Sequence, residues 1–186
     1  PYLRRKTTTV STFTIVAKTQ FGLENVLADE LRQLGAAEVE PLNRAVQFQG
    51  DQAMLYRANL CLRTALKILK PIATFEAHSE RQLYDMVREV DWSEYFSVNQ
   101  TFAINAVTNS ERFTHSQFMA LKTKDAIVDQ FRDKTRRRPN VELRNPDLRV
   151  NLHISDRTCT LSLDSSNASL DRRGYRLART EAPINE

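Results

Sequence analysis

Residues 115–139 read HSQFMALKTKDAIVDQFRDKTRRRP, one helical segment running into the densest basic cluster of the chain. On a 3.6-residue wheel, Ala120, Leu121, Ile127, Val128 and Phe131 share one side, the stripe of a helix that packs on a core. Lys124 falls inside that stripe, where a charge is costly unless it is paired or reaches water. A paired structural lysine and a ligand-binding one are both open readings there. Lys122, Asp125, Asp129 and Arg132 stand at i,i+3 and i,i+4 spacings that favour ion pairs. The helix is expected to run out through Lys134, Arg136, Arg137 and Arg138, since cations suit a helix C-terminus. Pro139 then forces its preceding residue out of helix.

Working towards the N-terminus, residues 101–107 alternate as a strand (Phe102 and Ile104 against Ala103 and Asn105). Asp91-Trp92 and Tyr95-Phe96 form an aromatic turn or short helix. Ser79 caps a helix holding Leu83, Met86, Val87 and Val90. Before it, residues 12–18 alternate as a strand, and Leu23, Val26, Leu27, Leu31 and Leu34 recur at helical spacing up to a Gly35 C-cap. Residues 37–40 and 44–49 are two short strands with Pro41-Leu42-Asn43 as their turn. Asp51 caps a second helix through Met54, Leu55, Ala58 and Leu62. Residues 65–75 form a further strand, which Pro71 marks as an edge or irregular one. The order β-α-β-β-α-β is the split βαβ pattern of a ferredoxin-like domain.

On the C-terminal side, residues 141–144 are extended and Asn145-Pro146-Asp147 is a turn. Residues 148–154 and 158–164 are strong strands joined at Ser155-Asp156-Arg157 by a tight hairpin. The chain is therefore of the α+β class: a lead-in over 1–11, a ferredoxin-like subdomain over 12–76, an α/β domain over 77–178, and the start of a linker over 179–186.

Composition narrows the function. The chain has 186 residues and a net charge of +4. All of that surplus lies after residue 110, where Lys and Arg number 15 against 11 Asp and Glu. This asymmetry fits a polyanion partner. No apolar run approaches the ~20 residues of a membrane span, and the basic start lacks the apolar core of a secretory signal. Cys61 and Cys159 read as reduced core residues of a cytoplasmic protein. His78, His115 and His153 lie far apart, so no metal site is expected. Four separated glycines exclude a GxGxxG or Walker loop. No catalytic residue is expected in this chain.

The candidate site is basic. Arg112, Lys122, Lys134, Arg136, Arg137 and Arg138 flank the central helix, and Arg172, Arg173 and Arg176 follow with Tyr175 among them. Guanidinium forks suit phosphates, and an aromatic can stack on an unpaired base. Each cluster alone is more often a solvated face; two in one domain balance that reading with structured RNA.

The segments FGLENVLADELRQLGA, VQFQGD, LYRANLCLRTALKIL, LYDMVREVDWSEYF, LKTKDAIVD, RRRPNVELRNPDLRVNLHI and LDRRGYR with API resemble the N-terminal region of bacterial 23S (large-subunit) rRNA guanine-N2 methyltransferases. The resemblance covers residues 13–186. It implies that a ferredoxin-like domain precedes a THUMP domain that binds structured large-subunit rRNA. It also implies a catalytic domain beyond this chain that uses S-adenosylmethionine, so this fragment alone is expected to be inactive. Ser166-Asn167 stands where the family has Ser-Gly, and Asn tolerates the left-handed turn required there. Two alternatives remain: a thiolation or deamination enzyme carrying the same RNA-binding module, or a protein-interaction module with an acidic partner.

Overall fold

In the computed structural model, the structure describes residues 11–174. The elements run β1 (Phe13–Thr19), α1 (Glu24–Leu34), β2 (Ala37–Leu42), β3 (Ala45–Gly50), α2 (Gln52–Cys61), β4 (Ala65–Glu76), α3 (Glu80–Glu89), a 3-10 turn (Trp92–Glu94), β5 (Thr101–Asn109), α4 (Ser116–Thr135), β6 (Asn140–Val141), β7 (Leu148–Ser155) and β8 (Thr158–Asp164). Two compact units divide the chain, Pro1–Ile68 and Leu69–Glu186.

The first unit has the β-α-β-β-α-β order of a ferredoxin-like domain, its strands ordered β2-β3-β1-β4. Period-two alternation buries Ile15, Ala17, Val46 and Phe48, while Leu27, Leu31, Leu55 and Ala58 cover them from the helices. The caps follow the local chemistry. Asp51 accepts a hydrogen bond from the Met54 amide at 2.7 Å, and Gly35 ends α1 at φ 88°. Three details depart from the sequence expectation. Pro41 and Leu42 belong to β2, paired with Val46 and Ala45, because a sheet-edge strand has no need of the missing proline N–H. The turn instead falls at Asn43-Arg44, where Arg44 takes φ 55° and its amide is held by Glu24 Oε1 at 3.0 Å. Val26 is 48% exposed, and Cys61, at the last turn of α2, is exposed rather than a core residue. Cys159 is buried, which pushes its thiol pKa up to about 11.

In the second unit the strand order is β4-β8-β7-β5-β6, with β4–β8 and β7–β8 antiparallel and β5–β7 and β5–β6 parallel. A parallel pair needs a crossover, and α4 supplies the one from β5. Pro71 lies where the β4–β8 register shifts, between Pro71 and Ala73, so it marks a bulge in a paired strand. Asp156, at φ 52°, closes the tight β7–β8 hairpin. Asn167 takes φ 57°, the left-handed turn expected of it.

The core of this unit gathers Leu83, Val87, Trp92, Phe96, Phe102, Met119, Ile127, Phe131, Val150, Leu152 and Leu161. Phe96 packs between Phe102 and Phe131, at centroid distances of 5.4 and 4.9 Å. The buried side of α4 is formed by Met119, Thr123, Ala126, Ile127, Val128, Gln130 and Phe131, whereas Leu121 is 49% exposed. The stripe is thus rotated from the expected one, since two polar side chains, Thr123 and Gln130, face inward.

Gln130 has a specific task. Its Nε2 donates to the Arg88 and Val90 carbonyls, both at 2.6 Å, and its Oε1 accepts from the Trp92 amide at 3.1 Å. These groups lie at and just beyond the end of α3, where carbonyls lack helical partners. Around it, Tyr84 Oη donates to Asp129 at 2.6 Å, and Arg88 pairs with Asp133. The Trp92 indole N–H donates to the Val87 carbonyl at 2.9 Å.

Gln130→Leu keeps much of the volume but strands two carbonyls and one N–H in a dry contact. We expect a loss of about 2–3 kcal/mol. It is read as a lower urea midpoint at unchanged m-value, followed through the fluorescence of Trp92, the chain's one tryptophan.

Candidate nucleic-acid interface

Parallel pairing runs from Phe102↔Leu148 to Asn109↔Ser155, and the antiparallel β8 sets Leu163 beside Val150. One end of this sheet therefore collects the starts of β5, β6 and β7 with the finish of β8. The segment after α4 arrives at the same end, because Asn140 pairs with Thr101. The segment after β8 begins there too, and Asn167 Nδ2 reaches Asn145 Oδ1 at 3.4 Å. Topology thus joins the segments carrying the two basic clusters, which are remote in sequence.

Helix α4 does not continue to Pro139. It ends at Thr135, and Arg136 takes the left-handed conformation at φ 59°, its amide bonded to the Arg132 carbonyl. A non-glycine residue there carries a conformational cost. The Thr135 hydroxyl helps to define the end by donating to the Phe131 carbonyl at 2.8 Å. Consequently Arg136, Arg137 and Arg138 form an extended strap rather than a helical face.

The cations of this end divide into two kinds. Lys134 is paired with Asp91 at 2.8 Å, and Arg137 donates to Asn99 Oδ1 at 2.9 Å. Arg173 Nε donates to the Leu170 carbonyl at 3.0 Å. The side chains of Arg136, Arg138 and Arg172 are exposed, with no hydrogen bond or ion pair among the described residues. Two further arginines, absent from the sequence-based set, join them. Arg144 is exposed and equally unpaired, and Arg149 at the start of β7 donates to the Leu143 carbonyl at 3.2 Å. Their signal was the turn Asn145-Pro146-Asp147 before a strand that pairs in parallel with β5.

Arg112 and Lys122 are not brought to this end. Arg112 follows β5 and donates to the His78 carbonyl at 2.8 Å. The length of β5, about 26 Å at strand rise, separates it from the strap. A cleft of about 540 Å³ beside it is lined by Thr108, Asn109, Ser110, Glu111, Thr114 and Asp156, whose carboxylates disfavour phosphate. Lys122 sits over the Phe118 ring at 5.4 Å, roughly 20 Å along α4 from its C-terminus. Lys124 pairs with Asp125 at 2.7 Å, which favours the paired structural reading. Tyr175 and Arg176, like the 1–11 lead-in apart from Ser11, lie outside the described residues.

No group of three or more His, Cys, Asp or Glu among the described residues is placed to hold a metal ion. No helix among them is long and apolar enough to cross a membrane.

Fold and surface together define a two-domain α+β protein with a concentrated basic end on the strands of its second unit. Comparison with known families gives the particulars: residues 14–69 match the RlmL ferredoxin-like domain and residues 77–164 the THUMP domain. The chain thus carries an RlmL ferredoxin-like domain followed by a THUMP domain.

A Synechocystis protein provisionally named as an RNA methyltransferase is 46% identical over 96% of this chain and 46% of its own length. The ribosomal RNA large subunit methyltransferase K/L of Syntrophotalea carbinolica is 46% identical over 89% of this chain and 23% of that protein. Among solved structures, SMU.472, provisionally named as a methyltransferase and complexed with SAH, superposes with TM-score 0.77 at 28% identity, over 93% of this chain and 46% of that one. A Listeria monocytogenes protein provisionally named as an N6-adenine-specific DNA methylase gives TM-score 0.79 at 28% identity, over 94% and 46% of the two chains. This chain spans less than half the length of these relatives.

The Lys134–Asp91 pair ties the last turn of α4 to the Trp92 turn, and it leaves a titration signature. The Lys134 ammonium, aided by the Ser93 hydroxyl and amide, lowers the Asp91 pKa from 3.8 to about 2. A depressed carboxylate stabilises the fold above its unfolded pKa and loses that contribution as pH falls through the folded value. Lys134→Met should bring the Asp91 pKa back up towards 3.8, followed by carboxyl NMR shifts, and remove this part of the acid dependence of stability.

Proposed function

We propose that this chain is the RNA-recognition portion of a large-subunit rRNA methyltransferase, and that the basic end of the THUMP sheet contacts the RNA backbone. The observation that carries the reading is the set of exposed side chains of Arg136, Arg138 and Arg144, unpaired among the described residues, at one sheet end, with Arg172 on the segment that leaves the same end after β8. Unpaired guanidinium groups offer phosphate a bidentate fork without first breaking an internal bond. Relatives named as large-subunit rRNA methyltransferases, 46% and 43% identical, support the substrate class. Domain limits at 12–76 and 77–178 belong to the same proposal.

In this reading the complete protein transfers a methyl group from S-adenosylmethionine to N2 of a guanine in 23S rRNA, in the cytoplasm. The cofactor is assigned to residues outside this chain. The described residues do not fit it: the cleft at Glu30, Gln33, Leu34, Cys61, Leu62 and Arg63 joins the ends of two helices. It has no glycine turn between a strand and a helix where a backbone approaches a nucleotide. What this chain contributes is to bind and orient RNA.

The test is binding of the chain to a structured rRNA hairpin and to matched duplex DNA across a salt series. We expect preference for the RNA. Arg136→Ala with Arg138→Ala should weaken binding and reduce the log–log salt slope by roughly 1.5 to 2, the signature of two lost phosphate contacts. Arg112→Ala and Lys122→Ala, at the other end, should leave the slope unchanged. Equal affinity for DNA, or equal effects from both pairs of substitutions, would refute the assignment.

A further inference from the structure

Among the unpaired arginines lie two exposed apolar side chains, Val141 at 45% and Leu143 at 71% exposure. Val141 belongs to β6, which pairs on one side with β5 and whose other side is a sheet edge. The Glu142 amide donates to the Phe102 carbonyl at 3.1 Å, and Arg149 donates to the Leu143 carbonyl at 3.2 Å, so the backbone carrying both side chains is held from two directions. They are therefore presented on an anchored segment, flanked by Arg136 and Arg138 before and Arg144 after.

Residues 136–149 contain five arginines and two carboxylates. Both carboxylates are turned to local donors: Glu142 accepts from the Arg144 amide at 2.8 Å, and Asp147 from the Thr101 amide and hydroxyl at 2.7 and 2.9 Å. The arginines on either side of the apolar pair thus keep their charge for an external anion. An exposed apolar pair flanked along the chain by unpaired guanidinium groups complements a ligand with an apolar plane beside phosphates, which describes an unpaired nucleotide.

We infer that Val141 and Leu143 contact an exposed base, so that the RNA taken here has an unpaired nucleotide next to a phosphate-rich stem. The inference rests on the proposed RNA-binding reading and specifies its substrate. Continuous A-form duplex offers backbone and 2′-hydroxyl groups but no base face, so these side chains have no partner on it. An unpaired base removes them from water and is placed by the flanking arginines.

The experiment uses the whole chain, fluorescence anisotropy, and two RNAs sharing one stem: a hairpin with an unpaired loop and the same sequence closed as uninterrupted duplex. Wild type should prefer the hairpin by about tenfold, the order of one base contact. Val141→Thr with Leu143→Asn should abolish most of that preference while leaving duplex affinity and melting temperature close to wild type. Leu143→Trp, which enlarges the apolar plane, should raise hairpin affinity. Equal loss on both RNAs, or no change on either, overturns the inference. If Arg136→Ala with Arg138→Ala weakens both RNAs while the apolar variants alter neither, the basic surface stands and only the base contact fails. If wild type binds neither RNA, both fail.

Discussion

The second unit depends on a buried amide. Gln130 takes the carbonyls of Arg88 and Val90 and the amide of Trp92, groups that α3 and its following turn leave without helical partners. A buried amide satisfied on both its oxygen and its nitrogen fixes position more narrowly than apolar contact, because each bond has a preferred direction. The neighbours Asp129 and Lys134 extend the attachment to Tyr84 and Asp91. The last turns of α4 are thereby clamped against α3 and the Trp92 turn. The end of α4 sets where the arginine strap starts, and β6 sets where it lands.

Two populations of cations result. Arg88 and Lys134 face carboxylates across the contact and serve the clamp, while Arg132 pairs with Asp129 within α4. Exposed ion pairs of this sort contribute little energy singly, typically under about 1 kcal/mol. The value of the Arg88 and Lys134 pairs is geometric, since they tie α4 to α3 and to the Trp92 turn. Arg136, Arg138 and Arg144 come after the clamp and are exposed, with no carboxylate partner among the described residues. Counting basic residues along the sequence merges these populations; only the packing separates them.

Much of the fold was legible because it is written locally. Alternation in β1, β5, β7 and β8 reports one-sided burial directly, and the caps at Asp51, Ser79 and Gly35 are chemical requirements of helix ends. The end of α4 was not legible, because helical spacing continues past Thr135 and the stop is a left-handed arginine rather than a glycine. Its buried side was mis-phased for a related reason: Thr123 and Gln130 are polar, and a hydrophobicity wheel turns them outward. The exposure of Cys61 has the same origin, since its apolar neighbours say nothing about which side of α2 it occupies. Of the site, the strap and Arg172 were visible as charge. Arg144 and Arg149 became part of it only through the parallel crossover, which sets the start of β7 beside that of β5. Sequence proximity equally misplaced Arg112, which the length of β5 removes to the other end.

The most direct test of this account is amide hydrogen exchange of the chain with and without a structured rRNA fragment. Protection on binding should concentrate in residues 136–149 and 165–174, at one end of the sheet, with the β7–β8 hairpin around Asp156 and the loop at residues 109–114 unchanged. Protection centred on that hairpin and loop, with residues 136–149 unaffected, would contradict it.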